Sequence, residues 1–220
     1  MRAQDSPFRP YWWGTDLAAA GVDARPNVGT YGQYQFAELP PVPFELRGDL
    51  GWLATQPVHE EWSINGNATV QLPELLTACE RVRLLLPPSF TRFMASSQLQ
   101  DRVRSNTACF IDLDSAPVAA PAGGGHLVRF LSDQQGCLYW YLYLTEGGGD
   151  HAVVCSPDFY GVEADVPPPA DPDGISFCAE SFEAFLCRFW LENEVWFAVT
   201  AGTPLPDVGA EYVERYRSAG

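Results

Sequence analysis

Residues 136–145, GCLYWYLYLT, constrain the fold most. Side chains alternate across a strand, so Cys137, Tyr139, Tyr141 and Tyr143 share one face, and Leu138, Trp140, Leu142 and Leu144 the other. The aliphatic face needs a dry core. Tyrosine is apolar in body and polar at the tip, so the opposite face suits a half-covered surface. A strand apolar on both sides belongs in the middle of a sheet that is covered on both sides. The glycine-rich stretch 146–150 then turns the chain into a second run, 151–156, which makes a hairpin. The expected class is therefore α+β: a central antiparallel sheet with helices packed on one side, plus an irregular, aromatic-rich N-terminal extension.

Periodicity divides the 220 residues into an extension (1–70), a main domain (71–200) and a polar tail (201–220). The extension is rich in Pro, Gly and aromatics, with Tyr11, Trp12 and Trp13 near its start and Trp52 and Trp62 flanking Pro57. Residues 27–36 can supply one strand. Such a segment has no core of its own, so its aromatics staple it onto the main domain, unless an exposed Trp pair serves a partner. Leu72, Leu75, Leu76, Cys79 and Val82 then recur at helical spacing, with Pro73 expected in the first turn. Pro87 and Pro88 end this helix and begin an antiparallel neighbour over 88–97, carrying Phe90, Phe93 and Met94. Strands are expected over 107–113 and 126–131, a linker over 115–125 and an exposed loop over 157–175. Ser181 caps a last helix whose stripe is Phe182, Phe185, Leu186, Phe189 and Trp196, with Glu183, Arg188, Glu192 and Glu194 largely away from it. One further helical turn fits 211–216.

The net charge is −15, and all 13 basic residues are arginine. That balance argues against a protein that tracks phosphates and favours a basic partner or plain solubility. The first residues lack the apolar core of a signal peptide, and no apolar run has the length of a membrane span, so the expected location is cytoplasmic. The six cysteines form no C-x-x-C pair and read as buried, reduced thiols.

Specific chemistry is absent from the pattern. There is no G-x-S-x-G, and His59, His126 and His151 are isolated in sequence. Asp112-x-Asp114 offers two oxygens to a divalent ion, but two acids alone more often mark a solvated strand end. The run from Asp171 to Gly174 opens like a calcium loop, yet its twelfth position is Phe182, where a bidentate Glu is required. The triple glycine at 123–125 precedes a strand instead of opening a helix. No catalytic, cofactor or metal residue is assigned.

Three stretches resemble the SUKH superfamily, the Smi/Knr-like domain of bacterial immunity proteins. Leu86-Pro87-Pro88-Ser89-Phe90-Thr91-Arg92-Phe93-Met94 is similar to its L-P-x-x-[YF]-x-x-F-[LM] helix start. Phe130-Leu131-Ser132-Asp133-Gln134-Gln135-Gly136 resembles its F-x-x-D-x-x-G strand–turn, and Ser181-Phe182-Glu183-Ala184-Phe185-Leu186 its S-F-x-x-F-L helix. The resemblance spans about residues 72–200. It departs at Ala95-Ser96-Ser97, where the family often has a glycine-rich turn, and at Cys137, where a polar residue is common. It implies no enzyme, but a module that neutralises a cognate toxin, often a nuclease, by occluding it. Such a toxin would be basic, and an acidic inhibitor is steered to it. The candidate docking face is Asp112, Asp114, Asp158, Glu163, Asp165, Asp171 and Asp173, with Tyr139, Tyr141 and Tyr143 if the extension leaves them open. The alternatives are a regulatory or scaffold protein of the same fold, and a hydrolase with an acidic cleft.

Overall fold

The computed structural model describes residues 1–15, 17, 30–162 and 172–218. The extension supplies β1 (Arg9–Thr15), β2 (Tyr31–Gln35) and the short α1 (Gly51–Ala54). Helices α2 (Ala68–Arg81), α3 (Pro88–Met94) and α4 (Ser97–Gln100) follow. Then come β3 (Phe110–Ile111), β4 (Val118–Ala119), β5 (His126–Ser132), β6 (Tyr139–Leu144), β7 (His151–Ser156) and β8 (Ser176–Ala179). Two helices close the chain, α5 (Phe182–Ala201) and α6 (Asp207–Ser218). Among the described residues the eight strands form one sheet in the order β2-β1-β8-β7-β6-β5-β3, with β4 beside β5.

The alternation of the central run holds. Strand β6 lies between β5 and β7, with Leu142 opposite Val128 on one side and Val153 on the other. Leu138, Trp140, Leu142 and Leu144 enter the larger core, which holds the helices. Tyr141 and Tyr143 enter a second core with Phe8, Tyr160, Ile175 and Phe177, and among the described residues no helix longer than one turn contributes to it. Helices therefore pack on one side only. The other side is covered by the N-terminal segment, by Phe36 and by the chain around 118–122.

One feature of the sheet differs from expectation. Strand β1 runs parallel to β8, with Arg9 opposite Ser176 and Pro10 opposite Phe177, so the sheet is mixed. A hairpin forces its strands antiparallel, but a strand arriving from far along the chain carries no such constraint. From Tyr11 onward β1 pairs antiparallel with β2. This ribbon reaches over the helical side: Trp12 packs on Phe185 of α5 (centroids 5.7 Å), and Tyr31 meets Trp140 edge-on (5.5 Å). The extension is thus woven into the sheet and both of its faces.

Several boundaries move. Helix α2 begins at Ala68, which places Pro73 inside the helix instead of in its first turn. The segment read as one strand over 107–113 keeps only two strand residues, because 105–109 is a side-chain-wired loop. The tail forms all of α6, and its Tyr212 and Val213 are buried. Ser181 does cap α5, accepting from the Ala184 amide at 3.1 Å. The polar residues of α5 are where expectation fails most. Glu183, Arg188, Glu192, Asn193 and Glu194 are all buried: the ribbon and α6 cover Arg188 and Glu192, the chain at 48–50 covers Glu183, and His59 with the 104–106 loop covers Asn193 and Glu194.

The three motif stretches meet in one aromatic cluster. Phe182 touches Phe90 (5.0 Å), Phe93 (5.6 Å) and Phe130 (5.4 Å), and Phe130 also touches Phe185 (5.5 Å). Their phenylalanines are therefore core that joins α3, β5 and α5.

Candidate functional site

The expected docking face is partly assembled and largely closed. Asp112 and Asp114 flank Arg129 of β5, with Asp112 Oδ2 3.0 Å from Nε and Asp114 Oδ1 3.1 Å from Nη2. The guanidinium also lies over the Phe159 ring, 4.4 Å from its centre. Asp114 is buried and Asp112 half-buried, so this D-x-D pair neutralises a buried arginine and Asp114 offers nothing to a partner.

Tyr141 and Tyr143 are closed as well. Tyr141 Oη donates to the Asp158 carbonyl (3.0 Å) and accepts from the Tyr160 amide (2.9 Å). Tyr143 Oη donates to the Gly123 carbonyl (3.0 Å), and Phe8 packs edge-on against its ring (5.1 Å). Burial raises the pKa of both phenols. The physical cause is the extension: Phe8 arrives with β1 and seals the tyrosine face. Tyr139 stays half-buried against Phe159 (5.2 Å), and Asp158 is half-buried beside it. Asp173 is exposed and pairs with Arg9 at 2.9 Å. Glu163, Asp165 and Asp171 lie outside the described residues. Asp112, Asp114, Tyr139, Tyr141 and Asp158 are thus gathered around Arg129 and Phe159, mostly as structure.

A different surface presents itself at the β3 edge. Trp62, Ser63, Ala108, Cys109, Phe110 and Gln134 line an open hollow of about 300 Å³. Trp62 is 54% exposed and Phe110 39%. Both Trp62 (φ 64°) and Ala108 (φ 56°) adopt the left-handed backbone region, which side chains other than Gly and Asn rarely visit. Such conformations cost on the order of 1–3 kcal/mol each and persist only where their surroundings over-determine them.

Those surroundings are visible. The Trp62 carbonyl accepts from the Ser105 amide (2.9 Å), and Ile64 pairs with Val103 (3.0 Å). Ser105 Oγ accepts from the amides of Thr107 (3.3 Å) and Cys109 (3.1 Å), and the Asn106 amide donates to Asn193 of α5 (2.8 Å). The Trp62 ring stands on Phe197 (6.4 Å), and Arg104 lies over the other part of that platform, 4.0 Å from the Phe197 centre. Glu194 holds Arg104 through both oxygens, at 2.9 and 2.8 Å, and lies 3.1 Å from His59 Nε2. Burial pushes the Glu194 pKa up, but hydrogen bonds from His59 and Arg104 outweigh it and hold the carboxyl below its ordinary value.

Behind the hollow lies a polar bed that the ribbon completes. Tyr31 Oη donates to Asp133 Oδ2 at 2.5 Å and lies 3.1 Å from Thr107 Oγ1 and 3.4 Å from Cys109 Sγ. Asp133, the motif aspartate, also accepts from the amides of Gln135 (2.8 Å) and Cys137 (3.3 Å) and so shapes the turn before β6. Burial pushes the Cys109 thiol and the Tyr31 phenol up, so both stay protonated at neutral pH, and the thiol is not poised as a nucleophile.

A second buried polar group ties both ends of the fold to α5. Glu192 accepts from Trp12 Nε1 (2.9 Å), the Thr15 amide (3.2 Å) and Tyr212 Oη (2.7 Å), and Arg188 donates to the same Tyr212 oxygen (2.8 Å). Desolvation raises the Glu192 pKa in spite of these partners. Gly14 is obligatory here, because a Cβ would fall 2.2 Å from Glu192 Oε2 and 2.0 Å from Trp12 Nε1. Among the described residues, no group of three or more His, Cys, Asp or Glu side chains is placed to hold a metal ion.

Sequence reasoning singles out neither Phe110 nor Ala108, and it reaches Trp62 only as a flank of Pro57 in an extension where an exposed Trp pair could serve a partner. Hydrophobic periodicity carries no sign of a left-handed residue. The available signal was Trp62 itself, an aromatic set directly after two acids, Glu60 and Glu61. No family model matches the chain, and no curated protein or solved structure is significantly similar to it.

Proposed function

We propose that this protein is a non-catalytic docking module that neutralises a basic protein, most simply as an immunity protein occluding the active site of a cognate toxin. The observation that carries the reading is the state of the charges. Arg2, Arg9, Arg47, Arg104, Arg129 and Arg215 each sit on a carboxylate of the same chain. Arginines held singly in this way form no basic stripe for a phosphate backbone, and the −15 excess gives the molecule a negative field. A nuclease groove, which must be positive to hold its substrate, is the complementary surface. No described helix is long and apolar enough to cross a membrane, which fits a module that meets its partner in water. The SUKH resemblance points the same way, and the convergence of its three stretches in one aromatic cluster supports it.

The test is genetic and then biophysical. The product of the adjacent open reading frame is expressed in a naive host, alone and with this chain. Rescue of growth, with a one-to-one complex whose toxin is inactive, is the expected outcome. Killing that this chain does not relieve sinks the immunity reading for that pair.

A further inference from the structure

We infer that the Trp62–Phe110 hollow is the hot spot of the docking face, and that it receives an apolar side chain flanked by arginine or lysine on a protein partner. The inference rests on the docking reading above but is separable from it. Binding energy concentrates on a few aromatic anchors in rigid, water-excluding settings. Most of the tryptophans in this chain cannot serve: Trp12, Trp52, Trp140 and Trp190 are buried. Among the described tryptophans Trp62 is the largely exposed one, and it is mounted rigidly instead of hanging free. Its backbone is fixed in the left-handed region by the Ser105 bond, and its ring rests on Phe197 over the Arg104–Glu194 pair.

Phe110 stands at the other side of the hollow, on the two-residue strand β3, and the floor between them is Ala108 and Cys109. That floor is immobilised by Ser105, Thr107, Tyr31 and Asp133. A site built this way loses little side-chain freedom when it is covered, which is how preorganisation raises affinity. The hollow is too open to enclose a metabolite, and its volume matches one or two inserted side chains.

Charge names the occupant. Glu60 and Glu61, both exposed, immediately precede Trp62, while Arg104, which stacks on Phe197, is already bound by Glu194. An incoming segment with leucine or phenylalanine between two cations would set its apolar group between the rings and its charges near Glu60 and Glu61.

Two peptides separate this proposal from a merely sticky patch: acetylated, amidated Arg-Leu-Arg and Glu-Leu-Glu, titrated into the full chain and followed by NMR of the Trp62 indole and neighbouring amides. Saturable shifts confined to the hollow with Arg-Leu-Arg alone are expected. Trp62→Asn keeps a residue that tolerates the left-handed backbone and should weaken that binding at least tenfold, as should Phe110→Thr, which keeps a strand former. Leu85→Ser, at an exposed leucine elsewhere, should leave it unchanged. No shifts, equal shifts with both peptides, or shifts centred away from Trp62 would overturn the assignment. The two readings also fail differently. Rescue from the toxin that survives Trp62→Asn discards this surface and keeps the immunity reading. Binding of Arg-Leu-Arg without rescue discards the immunity reading and keeps the surface.

Discussion

Glu192 and Glu194 sit two positions apart on α5 and are both buried, yet their pKa values move in opposite directions because their partners differ. Around Glu192, desolvation wins over Arg188, Tyr212 and Trp12, and the pKa rises. Around Glu194, His59 and Arg104 win, and it falls. The linkage follows from proton counting. A raised folded-state pKa means the native state binds more protons, so the Glu192 contribution is fully present below the ordinary value of 4.5 and is lost as pH rises through the folded value. A lowered one means the contribution of Glu194 is present above 4.5 and is lost as pH falls through the folded value. Thermal melts between pH 3 and 8 should therefore show Glu192→Gln removing a decline of stability toward high pH. Glu194→Gln should remove part of the decline toward low pH. Identical pH profiles for the two variants would contradict this account. Gly14→Ala drives a methyl into Glu192 and Trp12 and should cost roughly 1–3 kcal/mol by chemical denaturation.

At the scale of elements, α5 is the axle on which the others turn. Its apolar stripe meets the sheet, and its polar side meets the ribbon, α6 and the loops at 48–50 and 104–106, so Phe185–Val195 is buried all round. Tyr212→Phe tests that arrangement. It leaves Arg188 and Glu192 each one partner short and should cost about 1–3 kcal/mol, read as a lowered denaturation midpoint with an unchanged slope. The stripe, the Ser181 cap, the central strand and its hairpin were legible in the sequence because each is a local pattern: 3.6-residue spacing, a hydroxyl at the N-cap, alternation, a glycine turn. The burial of the polar side was not, since a charged residue reads as solvent-facing unless its partner is known, and those partners lie far away. Trp12 is 180 residues from Glu192. The same limit hid β8, which begins just after the stretch read as loop and has no pattern of its own, because Ser176–Ala179 becomes a strand through β1 and β7. It also hid the closure of Tyr143, which depends on where Phe8 arrives, and of Tyr141, which depends on Tyr160. The hollow was the least legible part, being defined by two left-handed residues from separate loops.

For the whole molecule, the excess of acid sets how it meets a partner more than how tightly it holds on. Long-range attraction speeds encounter and is screened beyond a Debye length of about 8 Å at physiological salt. The association rate with a basic partner should fall by at least tenfold on going from low salt to about 0.5 M, with the dissociation rate changing far less. Stopped-flow mixing measures both. Equal sensitivity of the two rates would place the charges inside the contact instead of around it. The pairing of Arg9 with Ser176 carries one more consequence, for the order in which the fold is made. On a ribosome delivering about 5–20 residues each second, the first strand waits some ten to thirty seconds for the one it lies beside. Until then Trp12 has neither Phe185 nor Glu192 to shelter it, and refolding from denaturant should be slower than for a fold of similar size closed by neighbouring hairpins.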